Sequence, residues 1–191
     1  MKITDYEIQK IKASSKGDWI FVKLYTNTGS YGLGEASQSG DDNLLIWILE
    51  NKLLPELIDI DPIHERNQLK ENLNLKSDDN LVFRTAISAI DQAIFDLFSR
   101  SLKMPLNSLF GGSLKEKIPL YANINRALID RSPVSFGETA LKAINQGYQA
   151  VKCAPFDGVT PNLDRKQWKD RVDKGFDRIK AVRGRIGKEK D

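Results

Sequence analysis

One cysteine, Cys153, and one histidine, His64, occur among 191 residues. A single thiol excludes an internal disulfide and suits a reducing compartment. A single imidazole excludes a site built from several histidines, and a histidine pair working as acid and base. Long apolar runs are also missing: no stretch approaches the roughly 20 apolar residues that span a membrane. The opening Met1-Lys2-Ile3-Thr4-Asp5 goes straight into alternating polar and apolar residues, without the apolar run of a secretory signal. Excess charge is scarce. Lys and Arg number 29 against 26 Asp and Glu, a net charge of +3, too small to argue for nucleic acid. These absences lead to the expectation of a cytoplasmic protein that partners neither membrane nor nucleic acid. What is present, 40% hydrophobic and 29% charged residues, is an ordinary folded composition that excludes disordered and collagen-like classes.

The period of the pattern changes along the chain. Ile3 to Ile11 alternates loosely, and Ala13 to Asp18 reads as a polar loop. Trp19 to Thr26 reads as a strand with Ile20, Val22 and Leu24 on one face and Phe21, Lys23 and Tyr25 on the other. Asn27-Thr28-Gly29 is a hairpin turn signal. Ser30 to Ala36 returns as a strand whose Gly32 and Gly34 signal a bulge or a close backbone approach. Residues 41–102 are helical by pattern. Asp41 and Asp42 can cap a helix carrying Leu44, Leu45, Trp47 and Ile48, and Asp61-Pro62 opens the next, with His64 in its early turns. Phe83, Ile87, Ile90, Ile94 and Leu97 recur at helical spacing and mark one buried stripe.

After Gly111-Gly112 strands and helices alternate. Ile118 to Ile124 and Tyr148 to Ala154 read as strands, and Ser135 to Gln146 as a helix closed by Gly147. Asp164 can cap a long helix with Trp168, Val172, Phe176, Ile179, Val182 and Ile186 on one face. This order is the signature of a parallel α/β layer. The expected organisation is an α+β domain over residues 1–113 and the opening of an α/β domain over 114–191.

Several of these segments resemble the enolase superfamily, and its mandelate racemase/muconate lactonizing enzyme group most closely. Tyr31-Gly32-Leu33-Gly34-Glu35-Ala36 resembles the third strand of the capping domain. Ala86 to Leu97 resembles its long helix, and Pro105 to Gly112 the junction into the barrel. Tyr148-Gln149-Ala150-Val151-Lys152 resembles the second barrel strand. The resemblance implies an α+β capping domain, with a three-stranded antiparallel sheet and a helical bundle. The first strand–helix units of a (β/α) barrel follow it. It also implies proton abstraction next to the carboxylate of a small-molecule substrate, with Mg²⁺ stabilising the enediolate, and a homo-oligomer. Racemisation, cycloisomerisation and dehydration are the chemistries it leaves open.

A closed eight-stranded barrel takes about 200–250 residues, and only two or three strand–helix units fit after Ser113. The family's metal-binding carboxylates end the third, fourth and fifth strands, so the resemblance places no metal ligand in this chain. Gly187 to Asp191 reads as the turn into a third strand, where the chain looks cut. The incomplete sheet is expected to keep an unpaired edge and an uncovered apolar face.

The candidate catalytic residue is Lys152. Alternation points it with Ala150 and Ala154, while Val151 and Cys153 face the helices. The family often carries Lys-x-Lys here; this chain has Lys152-Cys153-Ala154, without the second lysine. Lys152 is left as a base or as an electrostatic partner of a substrate carboxylate, against the plain reading of a strand-end lysine in solvent. Asn123, Asn125 and Arg126 end the first barrel strand and are candidate substrate contacts, or ordinary strand-end polar residues. By resemblance, Ser15 and Lys16 sit in the first substrate-facing loop, and Gln38 to Asn43 form a further contact region. Glu35 reads as a structural or interdomain contact, Asp91 and Asp96 as solvated or interdomain hydrogen-bonding groups rather than metal ligands, His64 as a surface residue and Cys153 as packed.

Two rivals remain. Residues 164–191 hold 11 Lys and Arg against 6 Asp and Glu, a basic end that can track phosphates, although interleaved acids fit a solvated helix better. The alternative for the whole chain is an inactive fragment serving as an interaction module.

Overall fold

The computed structural model describes residues 1–14, 17–37, 40–75, 80–125 and 128–191, and of Ser14, Lys70, Asn74 and Leu75 the backbone alone. Two compact units emerge, Met1–Leu114 and Lys115–Asp191.

In the first unit β1 (Ile3–Ser14), β2 (Gly17–Thr26) and β3 (Tyr31–Glu35) form an antiparallel sheet in that order. Alternation is strict where it matters: Ile20, Val22 and Leu24 are fully buried, and the residues between them are not. Of the expected loop, residues 13–14 and 17–18 are strand, with Ser14 paired to Gly17. Polar residues need not leave a ladder whose faces are both wet, and the pairing shifts register between Ile11 and Ser14. Ser15 and Lys16 themselves lie outside the described residues, as do Gln38 and Arg126.

Helix α1 (Asp42–Ile48) starts where expected, with the Asp41 carboxylate accepting from the Leu44 N–H at 3.0 Å. It buries Leu45 and Ile48 but leaves Leu44 and Trp47 exposed, so half of the anticipated stripe faces solvent. A wider turn and then a tighter one, Leu49–Leu53 and Leu54–Leu57, continue the buried leucines. The next helix, α2 (Arg66–Leu75), begins later than Asp61-Pro62 suggested. Asp61 instead caps a single turn, accepting from the Ile63 and His64 N–H groups at 3.0 and 3.2 Å. Its other oxygen takes the Met1 α-ammonium at 3.0 Å. His64 therefore sits in that turn, its side chain 82% exposed.

Helix α3 (Leu81–Ser101) organises the unit. Asn80 caps it, accepting from the Phe83 N–H at 2.9 Å, and Phe83, Ile87, Ile90, Ile94 and Leu97 are all buried. Its backbone lies directly on β3. A Cβ added at Gly32 would stand 2.0 Å from the Ala93 carbonyl oxygen, and one at Gly34 would stand 1.9 Å from that of Ala89. The same helix satisfies the free edge of β3. The Leu33 N–H donates to Asp96 at 2.9 Å, and the Glu35 N–H donates to Gln92 Oε1 at 3.1 Å. Gln92 Nε2 returns a bond to the Glu35 carbonyl at 3.3 Å. The short α4 (Leu106–Leu109) follows.

The second unit carries a two-stranded parallel sheet, β4 (Tyr121–Asn123) and β5 (Ala150–Lys152). Both strands are shorter than their sequence signals, since one neighbour each cannot hold the flanking residues in a ladder; Ile118 and Leu120 stay 78% and 69% exposed. Helix α5 (Pro133–Asn145) has Ser132 as its cap, and α6 (Arg165–Ile186) has Asp164. The core is small: Ile124, Phe136, Ala140, Ala143 and Val182, with Ala122, Val151 and Cys153 packed beside them. The apolar stripe anticipated for α6 is only partly covered. Val182 is buried, but Trp168, Phe176 and Ile179 are 47%, 50% and 38% exposed, because the line meeting the rest of the unit runs through Gly175 and Arg178. The basic face of α6 is neutralised locally by Lys169–Asp173, Lys174–Asp170 and Lys180–Asp177 pairs, as a solvated helix requires. The backbone of Asp191 already lies along the free edge of β5. It donates to the Gln149 carbonyl at 3.2 Å and accepts from the Val151 N–H at 2.8 Å. Among the described residues no helix is long and apolar enough to cross a membrane.

Two outcomes follow from the first unit. Gly34→Ala forces backbone apart rather than a flexible side chain, so thermal unfolding should show a loss of about 3 kcal/mol or more, the upper end of overpacking costs. Burial pushes the Asp61 carboxyl up, but the Met1 ammonium and the His64 and Ile63 N–H groups outweigh it and hold the group well below the usual carboxylate range. A lowered folded-state pKa gives stability that is present above the unfolded value near 4 and lost as pH falls below it. Asp61→Asn should therefore lower the melting temperature at pH 7, and the gap to the parent should shrink in melts taken below pH 4.

Candidate functional site

The site is built on the parallel register of β4 and β5, which sets Tyr121 beside Ala150 and Asn123 beside Lys152. These four residues share one face of the sheet. The other face, through Ala122, Ile124, Val151 and Cys153, packs on the helices. The open face is where α5 and α6 are not, and it carries the polar groups. Lys152 is exposed, with its Nζ 5.6 Å from the centre of the Tyr121 ring, within cation–π reach. Asn123 lies next to it and is also exposed.

Asn125 is used differently. Its Oδ1 accepts from the Ala154 N–H at 2.9 Å, tying the second residue after β4 to the second residue after β5. Only its Nδ2 remains for anything beyond the strand ends. Ala154 occupies the next position on the Lys152 face and supplies no second amine.

A charged network that the sequence did not announce sits behind these residues. Arg131 Nε donates to Asp157 at 2.7 Å, and a second nitrogen reaches the other carboxylate oxygen. Arg131 also donates to the carbonyls of Asn125, at 3.0 Å, and Ala154, at 2.9 Å. Arg178 of α6 pairs with Asp157 at 3.1 Å and donates to the Arg131 carbonyl at 2.7 Å. Both guanidinium groups lie over the buried Phe136 ring, 4.8 and 5.4 Å from its centre. Arg131 and Asp157 lie in loops, where no periodicity flags a residue. The available signal was Arg178, a charge on the line of α6 that also holds Gly175 and Val182.

The remaining candidates are structural. Glu35 meets Gln92 through its backbone. Asp91 pairs with Arg66 at 2.7 Å, and Asp96 holds Leu33 and Arg100, all within the first unit rather than across a domain boundary. Cys153 is half-buried. Desolvation raises its thiol pKa, and the Arg131 charge opposes that only in part. A neutral, packed thiol should alkylate with iodoacetamide at pH 8 at least about tenfold more slowly than the same cysteine in the urea-unfolded chain. Equal rates would show an accessible thiolate.

A family model of the mandelate racemase / muconate lactonizing enzyme N-terminal domain matches residues 8–111. D-galactonate dehydratase family member RspA of Cellvibrio japonicus is 31% identical over 158 residues, 80% of this chain and 37% of that protein. D-xylonate dehydratase of Haloferax volcanii is 26% identical over the full chain, covering 46% of its own length. The crystal structure of a dehydratase candidate from Zymomonas mobilis superposes with a TM-score of 0.84 at 28% identity, covering 100% of this chain and 53% of that one. The chain thus spans about half, or less, of the length of these proteins.

Proposed function

Because the chain belongs to the mandelate racemase / muconate lactonizing enzyme family, we propose that it supplies the capping domain, residues 1–113, and the first barrel strands, within 114–191, of a sugar-acid dehydratase. The reaction is removal of the proton next to a carboxylate, with loss of a hydroxyl from the neighbouring carbon as water. Dehydration is favoured over racemisation and cycloisomerisation by the relatives, which are named for galactonate and xylonate dehydration. The observation that carries the reading is the pairing of Asn123 with Lys152 on the uncovered face of the sheet.

In this reading Lys152 is the cation that meets the substrate carboxylate. Ala154 leaves it the one amine at this strand end, and a lone exposed ammonium is better suited to holding an anion than to taking a proton. Asn123 offers hydrogen bonds to sugar hydroxyls. Ser15 and Lys16 are proposed as substrate contacts on the resemblance alone. Mg²⁺ would stabilise the enediolate charge. Among the described residues no group of three or more His, Cys, Asp or Glu side chains could hold a metal ion, so those residues do not fit a Mg²⁺ site. A cytoplasmic homo-oligomer completes the proposal.

The test is dehydration of D-galactonate, D-xylonate and D-gluconate with Mg²⁺, by this chain and by a chain spanning the full length of its relatives. In the active form, Lys152→Met should raise KM about tenfold or more with kcat changed less, as expected when a hydrogen bond to a charged group is lost. A kcat loss of about 10²–10⁴ at constant KM would make Lys152 the base instead. Unchanged kinetics would remove it from the site.

A further inference from the structure

Lys152 is flanked by two different kinds of restraint. On the upstream side, Val151 bonds to the backbone of Asp191. On the downstream side, the chain does not simply leave the strand. The Ala154 N–H is held by Asn125 Oδ1 and the Ala154 carbonyl by Arg131. The Pro155 carbonyl is held by Arg178 and the Asp157 carboxylate by both arginines. Four consecutive residues after Cys153 thus contain three that are anchored to the β4 loop or to α6.

We infer that Arg131 is a positioning residue for Lys152, clamping the segment that follows the lysine onto the end of β4. The inference rests on Lys152 being a functional group, but not on which reaction it serves. Four of the five guanidinium N–H groups of Arg131 are spent on Asp157, Asn125 and Ala154, which leaves little for a ligand and marks a clamp rather than a binding arginine. The two positive groups sit together because Asp157 lies between them and the Phe136 ring lies beneath both. The planar fork is essential. It reaches two carbonyls and both oxygens of one carboxylate at once, which a lysine ammonium at the same place cannot do. Among the described residues β4 is the one full strand paired with β5, so such a device adds to what holds β5 in register.

The experiment labels the lysines of the intact chain by reductive ¹³C-methylation and follows the dimethylamine resonances by NMR, with Lys152→Arg identifying the Lys152 signal. The expected result is that Arg131→Gln shifts and broadens the Lys152 signal, while that of Lys23, in the other unit, stays in place. Arg131→Lys should not restore the signal, because it keeps the charge and loses the fork. An unmoved Lys152 signal in an Arg131→Gln chain with parent-like circular dichroism overturns the inference, and so does full restoration by Arg131→Lys. If Arg131→Gln does not fold, Asp157→Asn is read in its place with the same expected and overturning results. No substrate enters the measurement, so failure of the dehydratase reading and failure of the clamp give different outcomes.

Discussion

Backbone contact between a helix and a strand is the constraint from which the first unit is built. Where a strand carries side chains they hold a neighbouring backbone off, and a glycine there permits a close approach. Here α3 approaches until the carbonyls of Ala89 and Ala93 occupy the space of the missing Cβ atoms of Gly34 and Gly32. That closeness lets Gln92 and Asp96 reach round to the edge of β3 and act as a surrogate strand for the N–H groups of Leu33 and Glu35. An edge that would otherwise invite another chain is closed by side chains one helical turn apart. Glycine, alanine and amide are parts of one interface.

The second unit answers the same problem differently. Among the described residues its sheet has two strands and its hydrophobic core five buried residues, too few to fix a parallel ladder by hydrophobic burial alone. Polar groups take over at the strand ends: an asparagine bridging the two exits, and a guanidinium pair gathered on one carboxylate. These bonds lie at the carboxyl ends of the strands, where parallel α/β barrels place their chemistry. Structural polar groups and candidate functional ones therefore share a border, and Asn123 and Asn125, two residues apart, fall on opposite sides of it.

How much of this was legible in the sequence depended on period. The buried stripe of α3 and the inward face of β2 repeat at 3.6 and 2 residues, so Phe83 to Leu97 and Ile20 to Leu24 could be placed without coordinates. Gly32 and Gly34 pointed to a close approach but not to its partner, since Ala89 and Ala93 carry no distinctive chemistry. Composition misled at 13–14 and 17–18, where polar residues stay in a ladder wet on both faces, and along α6, where the apolar stripe and the packed line do not coincide. Lys152 was legible because strand alternation fixes its side. Arg131 and Asp157 were not, because 26 residues separate them and each sits in a loop.

The seam between β3 and α3 also has a bearing on the order of folding. Its partners Glu35 and Gln92 are 57 residues apart, whereas the β1–β2 hairpin closes locally. Loop closure over that span is entropically costly and comes after nearby pairings. On the ribosome, the glycine strand is synthesised long before its helix and waits bare until Ala93 has left the exit tunnel. In that interval the nascent chain is most exposed to pairing with the wrong strand, and a chaperone has most reason to hold it.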